Sequence, residues 1–301
     1  MHIAVAASPE VAIPTLEALR NSNHQLIRVI SQPDKPAGRG KVLTPTPVSQ
    51  WAIDSGVELL RPSNKEEIAT SVDGCDCVIT IGYGVLLPAD ILALPRFGFL
   101  NLHFSLLPRW RGAAPVQRAI EAQDSVSGVT VFQLDEGMDT GPIYTVHRFA
   151  LDQDITSDEL LLELGELGVG AILEALDLIS NGKRPVPQQN EGATRALKLS
   201  KEEGRIDWHQ SADVISAKIR AFTSNPGAWT SFRGNPLKLA SPRVTELKLK
   251  PGEVAIHDKR VLIGTSTTAL EIGSVTAPGK AQMSATSWAN GARLLKGEVC
   301  D

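Results

Sequence analysis

The sequence predicts an α/β fold with two parts, a Rossmann-like parallel sheet followed by a small β-barrel. Short apolar strands alternate with helical periodicities over residues 1–182, which is the pattern of a parallel sheet with crossover helices. Beyond residue 204, five short strand candidates are separated by turns, which is typical of a small barrel. At 301 residues the chain is long enough for two domains of ordinary size.

The first part begins with a strand, a helix with a regular apolar face and a second strand, which predicts a right-handed crossover between parallel strands. The turn after the first strand, Ala7-Ser8-Pro9, lacks the glycines that let a pyrophosphate approach the backbone, so we do not expect dinucleotide binding. The predicted strands are residues 2–7, 26–31, 77–82, 99–107, 129–134 and 143–150, and the predicted helices are residues 9–20, 48–56, 89–94, 114–121 and 156–182.

The second part is separated by a stretch poor in apolar side chains, residues 183–203, which we interpret as a linker. The predicted domains are therefore 1–182 and 204–301. Of the 30 basic and 34 acidic residues, 13 and 8 lie between Gly204 and Asp301, so this domain carries +5 and the rest of the chain −9. A basic second domain predicts contact with a polyanion.

The predicted elements of the second domain are a helix at 212–221 and strands at 228–232, 236–241, 252–255, 260–264 and 269–275.

A long loop is predicted at residues 32–47, which contain four prolines and two glycines. It carries Lys35, Arg39 and Lys41 against a single acid, Asp34. The residues alone leave two interpretations open: a solvated surface excursion, or a basic arm that binds phosphates.

Three polar residues alternate in the strand that begins at Phe99. Asn101, His103 and Ser105 are two apart, so a strand would project all three from one face. An asparagine amide donates hydrogen bonds to a developing oxyanion, and a histidine moves a proton near neutral pH. With Asp139 from the turn at 135–141 to orient the imidazole, this set suits acyl transfer from a carbonyl donor to an amine.

The sequence favours direct transfer between two bound substrates. No serine or cysteine has the context of a nucleophile, and no ligand spacing for zinc is present, so neither a covalent intermediate nor a metal is required. Cys75, Cys77 and Cys300 make no disulfide framework, and Cys75 and Cys77 are interpreted as small residues of a buried strand. The chain opens on a strand, and no apolar run reaches membrane-spanning length, so we expect a cytoplasmic protein that does not enter a membrane. We also expect this protein to be a monomer.

The run NLHFSLLPRWRGAAPVQRAI, residues 101–120, resembles the methionyl-tRNA formyltransferase family, and Asn101, His103 and the SLLP at 105–108 are shared by formyltetrahydrofolate-dependent transferases in general. The MDTGPI at 138–143, the basic loop QPDKPAGRGK and the later KLSKEEGRIDW, residues 198–208, extend the resemblance over most of the chain. One departure is Val5-Ala6-Ala7-Ser8, where the family usually has a Phe-x-Gly-Thr type of turn after the first strand.

This resemblance implies a site and two substrates. The catalytic residues would be Asn101, His103 and Asp139, with Asp139 rather than Asp135 in the family's acidic position. The formyl donor 10-formyltetrahydrofolate would bind at Gly82, Tyr83, Ser105, Leu106, Leu107 and Pro108. Initiator methionyl-tRNA would be bound by Lys35, Arg39 and Lys41 and by a C-terminal OB-like barrel.

Two alternatives share part of the pattern. A sister transferase acting on a small amine, such as glycinamide ribonucleotide or an amino-sugar nucleotide, shares the three catalytic residues but leaves the basic loop and the basic second domain unexplained. A non-catalytic RNA-binding protein on the same scaffold would be expected to lack at least one of the three polar residues, and all three are present.

Overall fold

The computed structural model describes residues 1–37 and 42–301. The strands are β1 His2–Ala7, β2 Gln25–Ile30, β3 Lys35–Ala37, β4 Val42–Thr44, β5 Leu59–Leu60, β6 Cys77–Ile81, β7 Phe99–His103, β8 Arg111–Gly112, β9 Val126–Gln133, β10 Ile143–Ala150, β11 Arg195–Ala196, β12 Trp229–Phe232, β13 Asn235–Val244, β14 Val254–His257, β15 Arg260–Ile263, β16 Leu270–Thr276 and β17 Met283–Ser284. The helices are α1 Ile13–Arg20, α2 Pro47–Ser55, α3 Lys65–Ser71, α4 Ala89–Leu92, α5 Pro115–Glu121, α6 Ser157–Ser180, α7 Ala212–Ala221 and α8 Ala285–Ala292.

The chain divides by its internal contacts into two compact units, neither of which is a continuous segment. Unit 1 consists of Met1–Gly112, Val126–Ala150 and Leu161–Arg195. Unit 2 consists of Ala113–Ser125, Leu151–Leu160 and Ala196–Asp301. Helix α5, which the sequence places in the first domain, therefore belongs to unit 2.

Unit 1 is built on a seven-stranded sheet with the order β10-β9-β7-β6-β1-β2-β5. The parallel sheet is confirmed for the five strands from β7 to β5, and β1 and β6 are buried along nearly their whole length, as expected for strands covered on both faces. At the other edge, β9 runs antiparallel to β7 and β10 antiparallel to β9. The loop between β9 and β10 makes these two strands a hairpin, whereas the connection from β7 to β9 contains α5. All sequence-predicted site residues that the structure describes lie in unit 1.

The predicted start of α6 is confirmed. Thr156 and Glu159 form a capping box, in which Thr156 Oγ1 accepts from Glu159 N at 3.3 Å and Glu159 Oε2 accepts from Thr156 N at 2.9 Å. The sequence missed four short strands and two helices: β5, β8, β11, β17, α3 and α8. Each of these strands has two residues and α3 is short and largely polar, so hydrophobic periodicity gives little signal for them. Helix α8 does have apolar residues at helical spacing, at positions 285, 288, 289 and 292.

Unit 2 contains an antiparallel sheet with the order β12-β13-β16-β15-β14, and β17 pairs with β16. Val299 bridges Glu253 beside β14, and Cys300 bridges Phe232 at the end of β12, so the C-terminal residues join the two edges of the sheet. This arrangement is a half-barrel, as the spacing of short strands predicts. Among residues 1–37 and 42–301, no helix is both long enough and apolar enough to cross a membrane.

Of the two neighbouring cysteines, Cys77 begins β6, whereas Cys75 lies two residues before that strand, so only Cys77 is a strand residue as predicted. Both are buried, and burial raises the pKa of the Cys77 thiol to about 12. A thiol with that pKa stays protonated near neutral pH, whereas a nucleophile or a metal ligand must be a thiolate.

Candidate active site

The candidate site lies at the carboxyl ends of β6 and β7. Thr80 of β6 pairs in register with Asn101 of β7, and the Asn101 Nδ2 donates to Thr80 Oγ1 at 2.8 Å. The Thr80 hydroxyl donates its one hydrogen to Leu100 O at 3.0 Å, so the Thr80 oxygen is the acceptor in the bond with Asn101. This chain of hydrogen bonds fixes the orientation of the Asn101 amide and uses one of its two N–H groups.

His103 is the last residue of β7, and its buried ring is held on both sides. The Nε2 is 2.9 Å from Trp110 O, and the ring packs edge-on against Phe132 with centroids 6.3 Å apart. A carbonyl oxygen only accepts, so Nε2 carries the hydrogen and Nδ1 of the neutral ring has a lone pair. His103 therefore presents a proton acceptor, Nδ1, toward the rest of the site.

Asp139 faces that nitrogen. Strand β9 ends beside Leu100, and the loop after it returns so that Asp139 Oδ2 is 3.7 Å from His103 Nδ1. The same oxygen accepts from Gly112 N at 2.7 Å. The carboxylate of Asp135 instead bonds within its own turn, accepting from Gly137 N at 3.0 Å and from Thr140 Oγ1 at 2.8 Å. Of the two aspartates in the turn, Asp139 is the one placed beside the imidazole.

The environment of His103 favours its neutral form. Burial lowers the pKa of His103 below its ordinary 6.5, while the Asp139 carboxylate and the Trp110 carbonyl raise it in opposition. The ring is therefore neutral at pH 7 and accepts a proton at Nδ1, and the imidazolium that forms is stabilised by the neighbouring carboxylate.

The SLLP turn follows β7 directly, because the strand ends at His103 and not at Pro108. Ser105 is 1% exposed, and its Oγ donates to Arg109 O at 2.7 Å. Leu107 is also buried, and its N donates to Thr130 Oγ1 at 3.2 Å. Leu106 and Pro108 are half-buried. Ser105 and Leu107 shape the turn, whereas Leu106 and Pro108 have surface that a ligand can contact.

Gly82 and Tyr83 form the turn after β6. The φ of Gly82 is +55°, and a Cβ on it would lie 2.7 Å from Pro9 Cγ, so this position needs a glycine. The backbone oxygen of buried Tyr83 accepts from Gln32 Nε2 at 2.6 Å, and Gln32 Oε1 accepts from Lys35 Nζ at 2.7 Å. Gln32 thus connects the turn after β6 with the basic segment.

The predicted loop at 32–47 contains a two-stranded ribbon. Strands β3 and β4 pair antiparallel, with Lys35 opposite Thr44, so the loop prediction is wrong for these two strands. Lys35 is exposed. Arg39 and Lys41 lie outside the described residues.

The sequence missed two residues that contact the site, Gln188 and Thr194, both in the stretch interpreted as a linker. Gln188 Nε2 donates to Asp139 O at 3.0 Å, and Gln188 Oε1 accepts from Arg111 Nη2 at 2.8 Å. Thr194 Oγ1 accepts from Trp110 N at 2.9 Å. The stretch has no apolar periodicity, so nothing in its pattern indicates these contacts.

A cleft of about 180 Å³ adjoins Asp139. It contains two cationic side chains and no acidic one, and the side chain of Met138 beside it is 57% exposed. The lining residues are Arg111, Met138, Thr140, Ala193, Thr194 and Arg195. A larger cavity of about 460 Å³ lies in unit 2 and contains none of the candidate residues. Within the described ranges, no three His, Cys, Asp or Glu side chains are grouped so as to hold a metal ion.

Comparison with known proteins identifies the family of both parts of the chain. The family model for formyl transferase matches residues 1–176, and the model for the formyl transferase C-terminal domain matches residues 198–293. A methionyl-tRNA formyltransferase of Salinispora arenicola is 42% identical over 307 residues, covering 99% of this chain and 99% of that protein.

Two solved structures share the fold. HypX from Aquifex aeolicus in complex with tetrahydrofolic acid aligns with a TM-score of 0.68 at 21% identity over 96% of this chain, which spans 47% of that protein. A methionyl-tRNA formyltransferase from Clostridium thermocellum aligns with a TM-score of 0.59 at 15% identity, covering 90% of this chain and 98% of that one. With the two domain matches and the full-length relative, these findings show that the chain belongs to the methionyl-tRNA formyltransferase family.

Proposed function

We propose that this chain transfers the formyl group of 10-formyltetrahydrofolate to the amino group of methionyl initiator tRNA, in support of translation initiation. The observation that carries the proposal is the buried His103 with Asp139 Oδ2 3.7 Å from its Nδ1, beside Asn101 on the same strand. The full-length similarity to a methionyl-tRNA formyltransferase supports the choice of acceptor.

The donor is proposed to bind at the turns after β6 and β7. Leu106 and Pro108 offer apolar surface there, and Leu86, three residues after Tyr83, is 88% exposed. Apolar surface of this kind suits the flat ring system of a folate. We propose that these residues hold the donor, with Ser105, Leu107 and Gly82 setting the shape of the turns. The bound donor supplies a formyl carbon that an amine can attack.

Each polar residue then has one role. As the amine attacks, negative charge grows on the formyl oxygen, and the second N–H of Asn101 donates to that oxygen. His103 takes the proton that the amine loses, at Nδ1. Asp139 stabilises the resulting imidazolium. The new bond joins the amine nitrogen to the formyl carbon. The bond from that carbon to the folate nitrogen then breaks as the His103 imidazolium gives its proton to that nitrogen, which regenerates the neutral ring.

The acceptor is proposed to be held by positive charge. Arg111 and Arg195 line the cleft beside Asp139 without an acidic side chain, which suits the phosphates of an acceptor strand. Further positive charge for binding phosphates is carried by the basic loop, in Lys35, Arg39 and Lys41, and by residues 204–301, whose net balance is +5. We accordingly propose a catalytic domain at 1–182, a linker at 183–203 and a tRNA-binding domain at 204–301, acting as a monomer in the cytoplasm.

A formylation assay with alternative acceptors tests the proposal. Purified protein with 10-formyltetrahydrofolate is offered charged initiator tRNA, charged elongator methionyl-tRNA, glycinamide ribonucleotide and an amino-sugar nucleotide in parallel. Selective formylation of the initiator is expected. Faster formylation of a small amine would establish the sister-transferase alternative, and no release of tetrahydrofolate with any acceptor would favour a non-catalytic RNA-binding protein.

The basic loop gives a prediction about the acceptor alone. Arg39→Ala is expected to raise the KM for tRNA roughly tenfold, as for the loss of one charge-assisted contact, and to leave the KM for the folate donor unchanged. The slope of the logarithm of the tRNA binding constant against the logarithm of salt concentration should decrease by about the contribution of one phosphate contact. Equal losses for both substrates would contradict a role of the loop in binding tRNA.

The direction of the His103 pKa shift predicts the pH dependence. Because burial lowers the pKa of His103, the neutral base predominates above pH 6.5, and kcat is expected to fall only at more acidic pH. The Asp139 carboxylate raises that pKa, so Asp139→Asn should move the acid limb of the kcat profile to still lower pH, besides lowering kcat. An acid limb centred above pH 6.5, or one that Asp139→Asn moves upward, would contradict this assignment.

A further inference from the structure

The segment 186–195 crosses the candidate site and is bonded to it at several points. Val186 exchanges two backbone hydrogen bonds with Ile143 at the start of β10, at 2.7 and 2.8 Å. Thr194 accepts from Trp110 N through Oγ1 and from Arg111 N through its backbone oxygen, both at 2.9 Å. Because both ends of this segment are anchored independently, the Gln188 side chain between them is held in place over the turn that carries Asp139.

Gln188 uses both ends of its amide. Its Nε2 donates to Asp139 O at 3.0 Å and to Gly141 O at 2.7 Å, and its Oε1 accepts from Arg111 Nη2 at 2.8 Å. An uncharged amide fits here because it offers two donors to two carbonyls and one acceptor to a guanidinium. The bonds join the loop after β9 to the segment that follows the SLLP turn.

The backbone of Asp139 needs such support. Its φ is +54°, in the left-handed region that non-glycine residues rarely adopt. Its carboxylate is fixed to the other side of the site by the hydrogen bond from Gly112 N at 2.7 Å. Arg111, the residue before Gly112, is the one that Gln188 also binds. The Gln188 amide therefore connects the Asp139 peptide with the segment that holds the Asp139 carboxylate.

We propose that Gln188 is a positioning residue that keeps the Asp139 carboxylate facing His103 Nδ1. It acts through Asp139 and does not touch the reacting atoms. Residues 177–197 fall between the two family matches, so neither match assigns Gln188 a role. The kinetic part of the proposal rests on the proposed formyl transfer, whereas its structural part depends only on the free protein.

The test compares Gln188→Ala and Gln188→Glu with Gln189→Ala, a matched control at the exposed neighbouring position. The Glu variant keeps an acceptor for Arg111 but loses both donors to the carbonyls of Asp139 and Gly141. Four quantities are measured: kcat, the KM of each substrate, the melting temperature, and the pKa of His103 by NMR titration of the free protein. The His103 signal is identified by its loss in His103→Ala.

Both Gln188 variants are expected to lower kcat roughly 10- to 100-fold, as for a misplacement of about 1 Å, with each KM within about twofold of the wild type. In Gln188→Ala the pKa of His103 should fall, because the carboxylate that raises it has moved. Gln188→Glu is judged by kcat alone, since its new carboxylate would itself raise that pKa. Gln189→Ala should match the wild type in every measurement. Wild-type kcat in Gln188→Glu, or an unchanged His103 pKa in Gln188→Ala, would overturn the proposal.

Parallel loss of kcat and melting temperature without a change in the His103 pKa would also overturn it, in favour of a merely structural role. The titration needs no substrate. If the wild type fails to formylate methionyl-tRNA while the His103 pKa still falls in Gln188→Ala, the proposed function is wrong and the positioning role stands.

Discussion

Replacing His103 with alanine is expected to lower kcat for formyl transfer at least about a hundredfold, the usual scale for removal of an acid–base group. Its Nδ1 lies 3.7 Å from Asp139 Oδ2, and its Nε2 is 2.9 Å from Trp110 O, so the substitution removes the proposed proton acceptor at Nδ1. The KM of the folate donor should change little, because the proposed donor site consists of the turns after β6 and β7. Stopped-time formylation with saturating substrates measures kcat directly.

His147→Ala is the matched control for this experiment. His147 lies on β10 in the same unit, and its Nε2 is 2.7 Å from Glu174 Oε2. The change removes the same imidazole from a site that has no part in the proposed chemistry, so kcat should stay near the wild-type value. Circular dichroism of both variants establishes that unit 1 is folded. A folded His103→Ala enzyme with kcat within tenfold of the wild type would rule out His103 as the base.

Those parts of the structure that depend on local sequence are the ones that could be predicted. The sequence predicts strands β1 and β10 and helix α7 with the bounds that the structure has, because each is marked by a local pattern. Strand β1 is an apolar run that stops at Ser8, and α7 has a helical spacing of apolar residues that begins after Ser211. The two-residue spacing of Asn101 and His103 likewise identified a polar end of an apolar strand.

Contacts between distant segments could not be predicted in the same way. Gln188 binds Asp139 across 49 residues, and Trp110 binds Thr194 across 84, through polar side chains with no periodic pattern. The antiparallel edge formed by β9 and β10 has the same cause, since pairing direction depends on the connection and not on the strand sequence. Ser105 was predicted to share the face of Asn101 and His103, but β7 ends at His103 and the Ser105 hydroxyl turns to Arg109.

Gly141→Ala is expected to have the largest effect of any small substitution in the site. A Cβ on Gly141 would lie 1.8 Å from the backbone oxygen of Gln133 and 3.0 Å from its carbonyl carbon. No side-chain rotation relieves a clash with backbone, so the hairpin that joins β9 to β10 must open. Gly141 O also accepts from Gln188 Nε2 at 2.7 Å, and the movement would break that bond. Asp139 is two residues away and moves with the turn.

The expected result is a loss of roughly 1–3 kcal/mol in the free energy of unfolding, the range for overpacking, with a fall in kcat of about a hundredfold from the displaced carboxylate. Gly170→Ala is the control, because the added Cβ would meet the His147 ring at Cε1, 3.5 Å away, and at Nδ1, 3.7 Å away, and both are ordinary contacts. Gly170 is inside α6, where alanine is intrinsically favoured over glycine by up to about 1 kcal/mol, so this variant should be at least as stable as the wild type. Denaturant unfolding and formylation assays measure the two effects separately.

Wild-type stability and kcat in Gly141→Ala would mean that the turn can shift without moving Asp139. If stability falls while kcat is kept, the carboxylate is held by Gly112 and Gln188 even when the hairpin is distorted.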